Sequence, residues 1–345
     1  MRVFIIGPNF INFLYSLERA FNNLGCVTEC VGYTHPPKRA WMKRKFAKAG
    51  IGTSDKDHVN EYKRQFSLTT IERVKDYSPD VLVILNGDFF DNNCLSELRK
   101  HSKKVVLYTL DAIYRFPGIG KIVDIADKVI CMDEGDISQL KKAHPSLDVS
   151  SHQFGYDPAI FYPDNSIVKD IDISFIGAPT NNRKKILSKV ACYAKDNRLN
   201  LAVNGAGYWD ERYWWKKRAF IKKWHPLEKY CSNRNATAEQ AADIYRRSKI
   251  CLNVHIQNHD IINNRCFEIP ACGSLMLCDA CEHVLKIFSN EQEAVFFKDM
   301  EELIDLLNIY LRDQDRCDRI TGKGRIFVSE KYTVQKLAEN ILEGM

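Results

Sequence analysis

The segment Val81-Leu82-Val83-Ile84-Leu85 has no polar side chain on either alternating face and sits between Pro79-Asp80 and Asn86-Gly87. A strand that is apolar on both faces must be covered on both faces, as in a parallel sheet flanked by helices. The signature recurs. Val3-Phe4-Ile5-Ile6 runs into Gly7-Pro8-Asn9, and Val105-Val106-Leu107-Tyr108 and Val129-Ile130-Cys131-Met132 repeat it. Between the strands lie segments of helical spacing, such as Phe13, Leu14, Leu17, Ala20, Phe21 and Leu24, which stop at Gly25. Alternating strands and helices predict a doubly wound α/β sheet.

The alternation breaks at Phe154-Gly155-Tyr156-Asp157-Pro158-Ala159-Ile160-Phe161-Tyr162-Pro163, a turn-rich stretch followed by Asp164-Asn165-Ser166. It restarts with Ile171-Asp172-Ile173-Ser174-Phe175-Ile176-Gly177, and residues 201–203, 250–254 and 275–278 supply further strands. The chain of 345 residues, 45% hydrophobic and 27% charged, is long enough for two cores. The expectation is two Rossmann-like domains, residues 1–163 and 164–345. Residues 300–310 and 334–342 are helical by apolar spacing, and these C-terminal helices are expected to pack back on the first domain.

No apolar run approaches the roughly 20 residues needed to span a bilayer, and Met1 to Gly7 is too short an apolar run for a signal peptide. A cytoplasmic location is expected, with room for peripheral contact at the inner membrane surface. Most of the 12 cysteines lie in apolar runs, where a thiol packs as a small hydrophobe. Cys278 and Cys281 form a Cys-x-x-Cys without a second pair at zinc-ligand spacing, so no metal is expected there.

The net charge of +6 is modest, but two segments concentrate it with aromatic side chains: residues 38–48 and residues 212–224. Lys and Arg attract phosphate while Trp partitions into an interfacial layer. Both segments therefore suit an anionic membrane surface or another polyanion, or else form solvated helix faces.

Ligands in open α/β sheets sit beyond the carboxyl ends of the strands. That places Asn9, Asp88, Asp111, Gly177, Arg183, Gly205 and residues 255–268 among the candidates. Neither Gly-x-Gly-x-x-Gly nor Gly-x-x-x-x-Gly-Lys-Ser/Thr occurs, which argues against dinucleotide oxidoreductases and P-loop NTPases. The richest constellation is Asp260-Ile261-Ile262-Asn263-Asn264-Arg265-Cys266-Phe267-Glu268-Ile269-Pro270-Ala271-Cys272-Gly273. A carboxylate at Glu268 can accept from the vicinal hydroxyls of a ribose, and Arg265, one turn earlier, offers a fork suited to a diphosphate. The alternative is an Arg/Glu surface pair at i,i+3.

The stretch 265–273, followed by an apolar strand, Asp279, Glu282-His283 and Glu293-Ala294-Val295-Phe296-Phe297, resembles the C-terminal domain of the CgeB-like, or spore-maturation-type, glycosyltransferases. Tyr245, Ser248-Lys249-Ile250-Cys251-Leu252-Asn253, Gly155-Tyr156-Asp157-Pro158 and residues 322–325 extend the likeness. The resemblance implies a GT-B fold, with two Rossmann-like domains facing across a cleft. It implies a nucleotide-sugar donor bound by the C-terminal domain and an acceptor bound by the first, with Asn9 on the acceptor side. Glu268 would hold ribose, Arg265 the diphosphate, and Asp260 the sugar, with Asn263 beside them. The backbone around Gly177, Arg183 and Gly205 would complete the phosphate site. Family members usually neutralise the leaving diphosphate without metal, so no cofactor is expected.

An inverting reaction needs a general base, for which Asp111 and Asp88 are the candidates; a retaining one does not. The acceptor is expected to be a glycan, a lipid-linked molecule or another cell-surface hydroxyl. Alternatives are a DNA-modifying glycosyltransferase, a sugar-nucleotide isomerase or hydrolase on the same fold, and a non-catalytic nucleotide-sugar-binding module.

Overall fold

The computed structural model describes residues 1–9, 12–34, 55–87, 89–110, 112–113, 118–255 and 262–345. Asp88, Asp111, Asp260, His259 and the basic segment 38–48 lie outside them. The chain forms two compact units: residues 1–153 together with 335–345, and residues 154–334.

The first unit is built on a six-stranded parallel sheet of β1 (Arg2–Pro8), β2 (Val27–Tyr33), β3 (Val81–Leu85), β4 (Lys104–Tyr108), β5 (Lys128–Cys131) and β6 (Asp148–Ser151), in the order β2-β1-β3-β4-β5-β6. Every residue of β3 is buried, as its two-sided apolarity requires. Helices α1 (Phe13–Asn23), α2 (Asp55–Tyr77), α3 (Asn92–Lys100), α4 (Gly120–Val123) and α5 (Glu134–Ala143) fall between the strands. Caps explain two of the starts: Asp91 accepts from the Cys94 backbone N–H and Asp133 from that of Gly135. Strand β6 is a half-polar edge strand, which is why apolar runs alone do not reveal it.

The second unit carries a five-stranded parallel sheet in the order β11-β10-β9-β7-β8, made of β7 (Ile171–Ile176), β8 (Leu201–Asn204), β9 (Ser248–Asn253), β10 (Leu275–Asp279) and β11 (Val295–Phe297). Its helices are α6 (Asn181–Asp196), α7 (Trp214–Trp224), α8 (Ala238–Arg247), α9 (Arg265–Ala271), α10 (Glu282–Ile287), α11 (Met300–Tyr310) and α12 (Gln314–Lys331); α13 (Val334–Leu342) follows. A capping box at Thr237 and Gln240 opens α8.

The units divide ten residues earlier than the proline-rich stretch suggests. The Tyr156 N–H donates to the Tyr332 carbonyl at 2.9 Å, and the Val334 N–H donates to the Tyr156 carbonyl at 2.9 Å. Gly155 has φ 69°, and a Cβ there would lie 2.5 Å from the Tyr332 oxygen, so only glycine fits the approach. These bonds tie residues 154–163 into the second unit. The last helix returns to the first unit: Lys128, 3% exposed, donates from Nζ to the carbonyls of Asn340 at 2.6 Å and Glu343 at 3.0 Å. An ammonium next to a helix C-terminus meets the negative end of the dipole there. Among the described residues, no helix is long and apolar enough to cross a membrane.

Candidate functional site

Helix α9 is short and buried over Cys266, Phe267, Glu268, Ile269, Pro270 and Ala271. Phe267 stacks on Tyr332, with centroids 4.8 Å apart, and packs near Phe288 at 6.0 Å. This packing fixes the helix against α12 and sets the direction in which Arg265 and Glu268 leave it. Gly273, at φ 76°, ends the helix in the left-handed region, with its N–H on the Pro270 carbonyl at 3.0 Å.

Arg265 donates from Nε to Asn253 Oδ1 at 3.0 Å, and Asn253 donates from Nδ2 to Cys266 Sγ at 3.0 Å. The terminal guanidinium nitrogens of Arg265 meet no acceptor among the described residues. Glu268 is 8% exposed, and no described donor hydrogen-bonds its carboxylate. Burial pushes its pKa up to about 7, although the nearby Arg265 charge opposes the shift. No ion pair closes between Arg265 and Glu268, so the i,i+3 surface-pair reading does not describe them. Both side-chain polar atoms of Asn263 are also buried without a hydrogen-bond partner. Among the described residues, three polar side chains around α9 thus hold unused hydrogen-bonding capacity, and an unpaired buried polar group costs stability.

Beneath them lies a polar cluster that sequence spacing does not reveal. His255, just after β9, accepts or donates at Nδ1 with Asp279 Oδ1 at 2.7 Å, and Asp279 also accepts from the His255 backbone N–H. Burial alone would lower the His255 pKa, but the Asp279 hydrogen bond and the contact with Cys266 carry it to about 9. Cys266 Sγ lies 3.9 Å from His255 Nε2 and Cys278 Sγ lies 3.8 Å from Nδ1. Burial penalises the Cys266 thiolate, yet hydrogen bonding from Cys278 and His255 outweighs it and holds that thiol below its usual range. Among the described residues, His255, Cys266 and Cys278 are the set whose ligand atoms, within 4.8 Å of one another, could hold a metal ion. In the structure these atoms bond to one another, to Asp279 and to Asn253, forming the floor under Arg265.

The ends of β7 and β8 meet beside this cluster. The Gly177 N–H donates to the Asn204 carbonyl at 2.8 Å, and Tyr208 Oη donates to the Gly177 carbonyl at 3.4 Å. A Cβ on Gly205, at φ 156°, would collide with the Gly177 oxygen. The missing side chain of Gly205 therefore lets the two loops touch. Arg183 is 3% exposed and its guanidinium is already engaged: Nε and Nη2 donate to the Val254 carbonyl at 2.9 and 2.7 Å, and Nη1 to that of Ala178 at 3.0 Å. It braces the loop instead of offering a free fork. Burial, reinforced by the Arg265 charge, lowers its pKa to about 10, which still leaves it cationic at neutral pH. The buried Arg183 and the half-buried Arg265 place two guanidinium groups beside this cluster, and of the two Arg265 is the one with hydrogen-bonding nitrogens left for an anion.

In the first unit, Asn9 is exposed after β1, its N–H on the Tyr33 carbonyl at 2.8 Å. Asn86, at φ 60°, accepts at Oδ1 from the Leu110 N–H at 2.6 Å. This bond joins the loops after β3 and β4.

Residues 183–343 match the family model described as "Glycosyl transferase-like". No curated protein sequence is a significant match. Among solved structures, Alr3699/HepE from Anabaena in complex with UDP-glucose is 9% identical, with 99% of this chain and 98% of that one covered and a TM-score of 0.66. Sucrose-phosphate synthase from Thermosynechococcus elongatus is 13% identical over 99% and 98%, with a TM-score of 0.68. A glycosyltransferase from Rickettsia africae is 12% identical over 99% and 97%, with a TM-score of 0.65. At such identities the likeness is one of fold, and the fold is GT-B: two parallel Rossmann-like sheets.

Proposed function

We propose that the chain is a glycosyltransferase that takes a hexosyl or related sugar from a nucleotide-sugar donor, bound in the second unit, to an acceptor hydroxyl bound by the first. The observation that carries the reading is the pairing of a buried Glu268 carboxylate with an Arg265 fork, the carboxylate without a donor and the outer nitrogens without an acceptor among the described residues. Glu268 accepts from the ribose hydroxyls, and Arg265 binds the diphosphate and stabilises the charge that grows on it as the glycosidic bond breaks. Arg183 and the start of α6 add positive potential without touching the ligand by side chain. Asn263 and Asp260 are assigned to the donor sugar. This counter-charge makes a divalent ion unnecessary to the reading.

The order of motifs from Tyr245 to Phe297 favours the CgeB-like type. On the acceptor side, Asn9 is a binding residue and Asp111 or Asp88 the general base of an inverting route, taking the proton from the attacking hydroxyl. The acceptor class we favour is a glycan or lipid-linked hydroxyl.

UDP and UDP-glucose are the first probes, because the HepE structures contain them. Isothermal titration is expected to show binding of UDP to the full chain. Arg265→Ala should weaken it by roughly 10- to 100-fold, the range of one lost charge-assisted hydrogen-bonding fork. If no nucleoside diphosphate binds, or if Arg265→Ala binds like the wild type, the donor assignment is wrong.

A further inference from the structure

Helix α7 and the residue before it present a surface that the donor site does not use. From Arg212 to Leu227 the chain has six Lys and Arg residues and no Asp or Glu. Only Phe220 of the helix is fully buried; Trp214 is 68% exposed and Trp215 52%. At 100° per residue, Phe220 and the half-buried Trp224 define the inward side, and Trp215, Arg218, Ala219 and Lys222 fall at i, i+3, i+4 and i+7 on the side facing away. Trp214 borders that side, one turn before Arg218.

The aromatic groups form a cluster of their own in the open. Tyr213 and Trp215 rings lie 4.8 Å apart, and Trp214 meets Trp215 edge-on at 6.1 Å. A core-packing account covers Phe220, which contacts Trp209 and Tyr208, but leaves this cluster unexplained. Glu211 accepts from Asn233 Nδ2 at 3.1 Å, and the acids on either side of it in the chain are paired. Asp210 pairs with Arg212 at 2.8 Å and Lys216 at 3.5 Å, and Glu228 faces His225 at 3.1 Å. Lys217 and Lys223 lie over the rings of Trp209 and Trp224. Arg218 and Lys222 have no carboxylate partner among the described residues.

We propose that this face docks the protein on a bilayer surface containing anionic phospholipid, with Trp214 and Trp215 entering the headgroup layer and Arg218 and Lys222 facing the lipid phosphates. Charge complementarity and the exposed indole pair select this occupant. A nucleic acid would use the cations, but exposed indoles wedged together edge-on offer it no ladder of stacking faces. The inference is independent of the donor assignment: the surface would dock whether or not a nucleotide sugar binds.

The test is co-sedimentation of the full chain with vesicles of phosphatidylcholine alone and of phosphatidylcholine mixed with phosphatidylglycerol. Binding is expected only to the mixed vesicles and should weaken steeply as salt shortens the screening length. Each cation near an anionic surface contributes roughly fivefold, so R218E/K222E should lower the partition coefficient by at least about 25-fold. W214A/W215A should lower it while leaving the salt dependence intact, which a purely electrostatic attachment would not show. Three outcomes overturn the proposal: no binding to mixed vesicles, binding undiminished in both variants, or equal binding by duplex DNA that also removes the protein from the vesicles. Because every changed side chain is exposed, folding of the variants is expected to match the wild type by circular dichroism.

Discussion

Replacing Glu268 by Gln keeps the shape of the side chain and removes its ionisation. The carboxyl is displaced from 4.5 to about 7. A folded-state pKa raised above the unfolded value means that the folded chain holds the proton more tightly. The group adds no penalty below about pH 4.5, and stability is lost as pH rises through the folded value near 7. At 1.36 kcal/mol per unit, the full difference is about 3 kcal/mol above pH 7. Glu268→Gln should therefore match the wild type near pH 4.5 and become more stable at pH 8 by up to this amount, equivalent to roughly 6–12 °C in the melting of a unit of this size. The same variant should lose donor binding, because an amide cannot accept from two ribose hydroxyls with the strength of a carboxylate. The assay is differential scanning calorimetry of both proteins across this pH range, beside titration with UDP. His255 also loses favourable interaction at alkaline pH, but it does so equally in both proteins and cancels in the comparison. An offset between the two melting temperatures that is the same at every pH would refute the reasoning.

Asn253→Leu removes the acceptor that aims Arg265 and should raise the Kd for UDP about tenfold, the worth of one hydrogen bond to a charged group; Asn253→Asp, which keeps an acceptor, should recover part of the affinity. Recovery absent in titration would mean that Asn253 does not act through Arg265. Gly155→Ala forces a left-handed backbone on a β-carbon and drives it against the Tyr332 carbonyl, at a cost of about 2–4 kcal/mol. Calorimetry should show a fall of at least about 5 °C, and an unchanged melting temperature would show that the loop relaxes freely.

The sheets were legible in the sequence because their central strands are apolar on both faces, as at β3 and β10, where nothing else satisfies the pattern. Strand β6 was not, since an edge strand such as Asp148–Ser151 needs only one buried side chain, Val149. Arg265 and Glu268 could be singled out from their types and spacing on α9. That the described residues leave the outer nitrogens of Arg265 and the Glu268 carboxylate without hydrogen-bond partners could not, because it depends on Asn253 taking only Nε and on burial of the carboxylate. Arg183 shows the reverse. Its position after a strand suggests phosphate binding, and only the fold reveals that the carbonyls of Val254 and Ala178 occupy its guanidinium. The His255, Cys266, Cys278 and Asp279 cluster draws on two strand ends and a helix, a convergence that no linear motif encodes.

The backbone exchange between Tyr156, Tyr332 and Val334 has a consequence for how the chain can be taken apart. Because the last residues rejoin the first unit, the second unit is an insert whose entry and exit are stitched side by side by two hydrogen bonds. A single cut after residue 153 would strand Lys128 without the carbonyls of Asn340 and Glu343. Residues 154–334 have ends already close enough for a few residues to span. The natural dissection is to lift out the insert and seal the gap behind it with a short loop.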